Sequence, residues 1–200
     1  MPMPRSRIRT LFIASLSLAL LAGASLGVPA LIGEAREARI ERAITAGGYV
    51  IYLRHADRLS GPKEPFGAAT PLAAFFDCTR QRNLTSAGRG EAVEIGRAFR
   101  ALGVPIGKVF ALPLCRTRET AELAFGRAVL GPEFYDSHAV AALLGAAPAQ
   151  GTNTVLVDTE DQVRRLAGVD LAPGEAAIFE PDGKGGYRYD GMLDRDDLIR

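Results

Sequence analysis

The sequence predicts an α/β fold in which a mostly parallel central sheet is flanked by helices. Two observations carry that expectation. Three times, a short apolar run rich in β-forming residues leads through a turn or loop into a segment with helical spacing; the runs are Tyr49 to Leu53, Val109 to Leu112 and Thr154 to Val157. Such alternation places the strands parallel and packs the intervening helices on the sheet faces. The second observation is composition. With 48% hydrophobic and 24% charged residues, a chain of 200 residues can bury a core, which excludes disorder and a mini-protein held only by disulfides.

At the N-terminus, Arg5, Arg7 and Arg9 precede an uncharged run of 22 residues, Leu11 to Ile32, with small residues at Ala22-Gly23-Ala24 and Val28-Pro29-Ala30. This is the three-part pattern of a signal peptide over residues 1–30, ahead of a domain spanning 31–200. The run is also long enough to cross a bilayer, so an uncleaved anchor over residues 11–32 stays open beside it. Gly23, Gly27 and Pro29 weaken a helix that would have to persist, which favours cleavage. The domain is therefore expected to be exported, periplasmic or secreted, and to meet a membrane only through an uncleaved leader. Removing residues 1–30 changes the formal charge from +1 to −2. With that balance, no Trp and 7% aromatics, nothing suggests a nucleic-acid partner.

Residues 34–46 read as a short charged helix stopped by Gly47-Gly48, and Tyr49 to Leu53 as the first strand. Residues 57–83 lack a clean period and carry Gly61, Pro62, Pro65 and Pro71, so they read as a long irregular excursion with a short helix near Leu72 to Phe76. Thr85 is placed to cap a helix from Ser86 to Leu102, whose apolar residues fall largely on one face before Gly103 and Pro105 end it. Val109 to Leu112 is followed by a helix from about Arg116 to Phe125, and Thr154 to Val157 by one from Glu160 to Leu166. The stretch between them, which includes His138, reads as irregular. Ala176 to Glu180 and Tyr187 to Leu193, joined by Asp182-Gly183-Lys184-Gly185-Gly186, read as a terminal hairpin.

Export would place Cys78 and Cys115 where a disulfide can persist, with two free thiols as the alternative. Without CxxC or HxxxH, and with His55 and His138 far apart, no metal site or cofactor is expected.

Ligands of open parallel sheets bind at the carboxyl edge of the strands. Three segments should converge there: Arg54-His55-Ala56-Asp57, Pro113-Leu114-Cys115-Arg116 and Asp158-Thr159-Glu160. Two guanidiniums and an imidazole suit a phosphoryl group. Arginine offers a planar fork of donors to its oxygens, and a neutral histidine can attack phosphorus or carry a proton.

Leu53-Arg54-His55-Ala56, together with the run from Leu112 to Ala121, resembles the histidine phosphatase, or phosphoglycerate mutase-like, superfamily. The likeness extends through Gln81 to Arg89 and Gly151 to Val157, and so covers most of residues 48–193. It implies a phosphoglycerate mutase-like three-layer sandwich. It also implies that His55 takes the phosphoryl group covalently from a small phosphorylated ligand, with Arg54 and Arg116 as the phosphate clamp. Arg82 and Asn83, just before the long helix, match a motif that brings polar groups to the phosphate, with a role in entering that helix as the alternative.

The departure lies in the chemistry. Where the family usually has Gly-His after the third strand, this chain has Asp158-Thr159. Thr159 can donate one hydrogen bond to phosphate but supplies neither charge nor proton transfer near neutral pH. Asp158 and Glu160, if ionised and facing the site, would repel a dianion. Two functions follow: phosphoric monoester hydrolysis through phosphohistidine, weakened or narrow, or binding of a phospho-ligand without turnover. The leaving-group acid is open among Asp57, Glu64, Asp77 and Glu133.

Overall fold

The computed structural model describes residues 36–67 and 69–198. The leader and anchor expected over residues 1–30 and 11–32 lie outside the described residues, apart from which no described helix is long and apolar enough to cross a membrane. The chain divides into compact units at Ala38, and the sheet and site belong to the second, Arg39–Arg200.

Val50–Arg54 (β1), Ile106–Ala111 (β2), Val129–Leu130 (β3), Asn153–Asp158 (β4), Ala176–Pro181 (β5) and Tyr187–Leu193 (β6) form one sheet in the order β3-β2-β4-β1-β5-β6. The β1–β4, β2–β4 and β2–β3 pairs are parallel, while β5 runs antiparallel to β1 and β6. The mostly parallel sheet and the terminal hairpin are as the sequence predicts. Helices cover residues 36–46 (α1), Ser86–Ala101 (α2), Cys115–Phe125 (α3), Ser137–Leu144 (α4), Glu160–Ala167 (α5) and Arg195–Leu198 (α6).

Side-chain alternation along the central strands builds two cores. Ile51 and Leu53 of β1 and Val155 and Val157 of β4 pack with Ile44 of α1, Ile95 and Phe99 of α2 and Ala121 of α3. Val50, Tyr52 and Leu156 face the other way, against Val140 and Leu144 of α4 and Val163 of α5. Buried on both sides, these strands need apolar runs rather than alternating ones, and that is why they stand out in the sequence. Thr85 caps α2 as expected, its hydroxyl accepting from the Gly88 amide at 2.9 Å.

The stretch expected to be irregular between β2 and β4 holds β3, a 3₁₀ turn over Pro132–Tyr135 and α4, so His138 sits on a helix. β3 has only two residues and α4 is a small Ala- and Leu-rich helix, both too short for periodicity to reveal. The excursion between β1 and α2 is irregular as predicted, with 3₁₀ turns at Leu72–Phe76 and Cys78–Arg80. Gly88 lets α2 approach the base of this excursion closely: a Cβ there would lie 2.0 Å from the Asp57 carbonyl oxygen.

Candidate functional site

β2, β4 and β1 are parallel neighbours, so the residues following them meet at one edge. The His55 amide continues the β1–β4 ladder, donating to the Asp158 carbonyl at 3.0 Å. Arg116 enters from the first turn of α3.

His55 is fully buried. Its Nδ1 lies 2.8 Å from the Ala56 carbonyl oxygen. A carbonyl only accepts, so Nδ1 carries the proton and Nε2 keeps its lone pair. Nε2 is buried without a hydrogen-bond partner. Burial, reinforced by the positive charges of Arg116 and Arg54, pulls the imidazole pKa down to about 3. At physiological pH the ring is therefore neutral.

Arg116 is 3% exposed, and its Nη1 donates to Glu64 Oε1 at 2.8 Å while its Nε has no partner. The same carboxylate accepts from Arg82 through the amide at 2.8 Å, Nε at 3.2 Å and Nη2 at 2.7 Å. Burial opposes the charge on Glu64, but the Arg82 hydrogen bonds and the Arg116 charge outweigh it and hold the pKa at about 2. A buried carboxylate thus sits across two guanidiniums. Arg54 stays at the edge differently: Nη2 lies 3.2 Å from Glu160 Oε2, Nη1 donates to the Leu171 carbonyl, and Nε is unpartnered.

A cavity of about 310 Å³ opens over this edge, and Glu64, Arg82, Arg116, Asp158, Thr159 and Glu160 contribute to its wall. Of the residues the sequence assigns to catalysis or to holding the phosphate, Arg116 and Thr159 line it directly. His55 and Arg54 do not line it; they adjoin it through Asp158 and Glu160 respectively. Thr159 donates its amide to Asp158 Oδ1 at 2.7 Å and accepts from the Tyr52 hydroxyl at 2.6 Å, and its own hydroxyl caps nothing on α5. Asn83 stands apart from the cavity wall. Its Nδ2 donates to the Cys78 carbonyl at 2.8 Å and so braces the excursion.

Cys78 and Cys115 form a disulfide, with Cα atoms 5.8 Å apart. It ties the excursion to α3 one residue before Arg116. The Gln81 side chain adds a second tie, accepting from the Cys115 amide at 2.8 Å.

Three of the acid candidates are engaged elsewhere: Asp57 accepts from the Thr85 hydroxyl at 2.8 Å, Asp77 accepts from Thr79, and Glu64 is held by the arginines. Glu133 lies in the 3₁₀ turn, outside the cavity wall. His138 sits at the start of α4, where its amide donates to Asp136, outside the cavity wall. Among the described residues, no group of three or more His, Cys, Asp or Glu is placed to hold a metal ion.

Sequence reasoning missed the pairing of Glu64 with Arg82 and Arg116. No local signal announces a partner 52 residues away across an irregular segment.

Comparison with known proteins bears on the fold. No protein-family profile matches the chain, and no curated protein sequence matches it. Among solved structures, the protein histidine phosphatase SixA complexed with tungstate is 20% identical, with a TM-score of 0.53, covering 75% of this chain and 99% of that one. A mycobacterial glucosyl-3-phosphoglycerate phosphatase is 10% identical, with a TM-score of 0.51, covering 72% of this chain and 97% of that one. The chain therefore has the histidine phosphatase, or phosphoglycerate mutase-like, fold that the sequence motifs predict.

Proposed function

We propose that this protein is an exported histidine-phosphatase-fold hydrolase of phosphoric monoesters, acting through a phosphohistidine at His55. The observation that carries this reading is the state of that side chain. His55 is neutral, its Nδ1 proton is fixed on a carbonyl, and its Nε2 lone pair is unpartnered, with the charges of Arg116 and Arg54 both acting on it. That combination suits attack on an electrophilic phosphorus whose developing charge the guanidiniums would offset.

In the first step, Nε2 forms a bond to phosphorus as the bond to the ester oxygen breaks, and the leaving alkoxide takes a proton from water, giving the alcohol and hydroxide. In the second, water attacks phosphorus and gives up a proton that neutralises that hydroxide, the N–P bond breaks, its electron pair returns to Nε2 and inorganic phosphate leaves. Arg116 and Arg54 each keep a buried Nε without a partner, a donor that a phosphoryl oxygen would satisfy. The tungstate held by the SixA neighbour, a tetrahedral oxyanion, supports a phosphoryl ligand for this fold.

Export draws support from the leader pattern in residues 1–30 and from the Cys78–Cys115 disulfide, a bond that persists in oxidising compartments. Sequencing the N-terminus of the protein recovered from the cell envelope tests it; a start near residue 31 is expected, and a cytoplasmic chain beginning at Met1 would refute export.

Thr159 in place of a second histidine, and Glu64 seated on Arg116, favour a second reading: the protein binds a phospho-ligand without turning it over. Release of phosphate from a panel of aryl phosphates, compared with His55→Ala, separates the two. Turnover that His55→Ala abolishes supports hydrolysis. Equal rates in the two proteins remove it, and vanadate binding without turnover supports the binder.

A further inference from the structure

Asp158 is the last residue of β4 and is fully buried. Its Oδ1 accepts the Thr159 amide at 2.7 Å, and its Oδ2 is buried with no hydrogen-bond partner. No ion pair among the described residues includes it. Yet it lines the same cavity as Arg116, and its backbone carbonyl holds the His55 amide. An ionised carboxylate in that setting would keep the Thr159 amide, with the Tyr52 hydroxyl and the Arg116 charge nearby, and lose the rest of its hydration, at a cost of several kcal/mol. A carboxyl that keeps its proton escapes that cost.

We propose that Asp158 enters the site as a neutral carboxylic acid and donates its Oδ2–H to an oxygen of the bound oxyanion. Oδ1 already accepts a hydrogen bond, so the proton belongs on Oδ2, the oxygen without a partner. The residue that a reading of the sequence would treat as repulsive is then a donor. It stands beside Thr159, where the family resemblance expects a second histidine, and restores part of what that histidine would supply.

The groups acting on Asp158 are Tyr52 of β1, Arg116 of α3 and Asp161 of α5, with His55 next to it along the sheet edge. Burial is the dominant influence and pushes its pKa up to about 8; the Thr159 amide, Tyr52 and Arg116 pull the other way. A bound dianion would hold the proton still more firmly, while above pH 8 the free site should present a carboxylate and reject anions.

The inference rests on the oxyanion site proposed above, and tungstate titration of the whole protein separates the two. Wild type is expected to bind tungstate about tenfold more weakly at pH 9.5 than at pH 7, the worth of one hydrogen bond to a charged group. Asp158→Asn, which keeps a donor that does not titrate, should bind within threefold of wild type at pH 7 and show no such fall. Asp158→Ala should bind about tenfold more weakly at pH 7. Binding at least tenfold tighter in Asp158→Asn than in wild type at pH 7 would show a charged, repelling Asp158 and overturn the proposal. Binding that Arg116→Ala abolishes but Asp158→Ala leaves unchanged would overturn it alone. Absence of tungstate binding by wild type would overturn the site along with it. Should the alanine variant not fold, infrared difference spectra of wild type against Asp158→Asn decide the matter. A carboxylic C=O band present at pH 7 and lost by pH 9.5 is expected; a carboxylate band already at pH 7 refutes it.

Discussion

Replacing Glu64 by glutamine should weaken the fold and strengthen oxyanion binding in the same protein. Glu64 is 7% exposed, and its carboxylate takes hydrogen bonds from Arg82 and from Arg116, itself 3% exposed. Removing one partner of a buried pair costs about 3 to 5 kcal/mol, because the remaining charge is left uncompensated. Glutamine keeps a carbonyl acceptor, so about 2 to 3 kcal/mol is expected, or roughly 5 to 10 °C in Tm for a domain of this size. An oxyanion reaching wild type meets guanidiniums already paired and a carboxylate that repels it. In Glu64→Gln the repelling charge goes and the pairing weakens to neutral hydrogen bonds, and affinity should rise at least tenfold, about 1.4 kcal/mol. Ligand at about 100 times its Kd should then return roughly 2.7 kcal/mol of stability, most of the loss. Thermal unfolding with and without phosphate, alongside calorimetric titration, checks both halves. Equal anion affinity in the two proteins, or an unchanged Tm without ligand, would refute the bridging role. The sign with pH follows from the same contact. The pKa of Glu64 is depressed from 4.5 to about 2, so its contribution is present above about pH 4.5 and is lost as pH falls towards 2.

His55 is depressed from 6.5 to about 3, so the unfolded chain takes up its proton first and stability falls as pH drops from 6.5 towards 3. His55→Gln should remove that component, up to about 1.4 kcal/mol per pH unit across this window, as measured by denaturant titration. Replacing Cys78 and Cys115 together by serine opens a loop whose ends are 37 residues apart and should cost about 4 kcal/mol, seen as a lower unfolding midpoint than non-reduced wild type. Gly88→Ala would press a methyl group to within 2.0 Å of the Asp57 carbonyl oxygen; a loss of about 1 to 3 kcal/mol is expected, and an unchanged Tm would show that α2 can shift without cost.

Legibility in the sequence followed the range of the interaction. Tyr49 to Leu53 and Thr154 to Val157 announce themselves because a strand buried on both faces must be apolar throughout, and Thr85 because a cap acts within three residues. Arg54, His55 and Arg116 could be placed together because parallel strands share a carboxyl edge and each residue follows a recognisable strand. β3 and α4 stayed hidden because two residues, or one small apolar helix, carry no usable period. The motif leaves Asn83 between the phosphate and the helix entry, and only the fold shows its amide nitrogen on the Cys78 carbonyl, away from the cavity wall.

By itself, then, the amino-acid order determined the α/β alternation, the two-faced strands and the identity of the edge where the imidazole and guanidiniums meet. Only the tertiary structure decided that Cys78 reaches Cys115, that Glu64 bridges Arg82 and Arg116, and that burial pushes the Asp158 carboxyl up while the arginines hold Glu64 down. The reason is physical: backbone preferences act over a few neighbouring residues, but desolvation and the partners that offset it depend on which distant groups exclude water together.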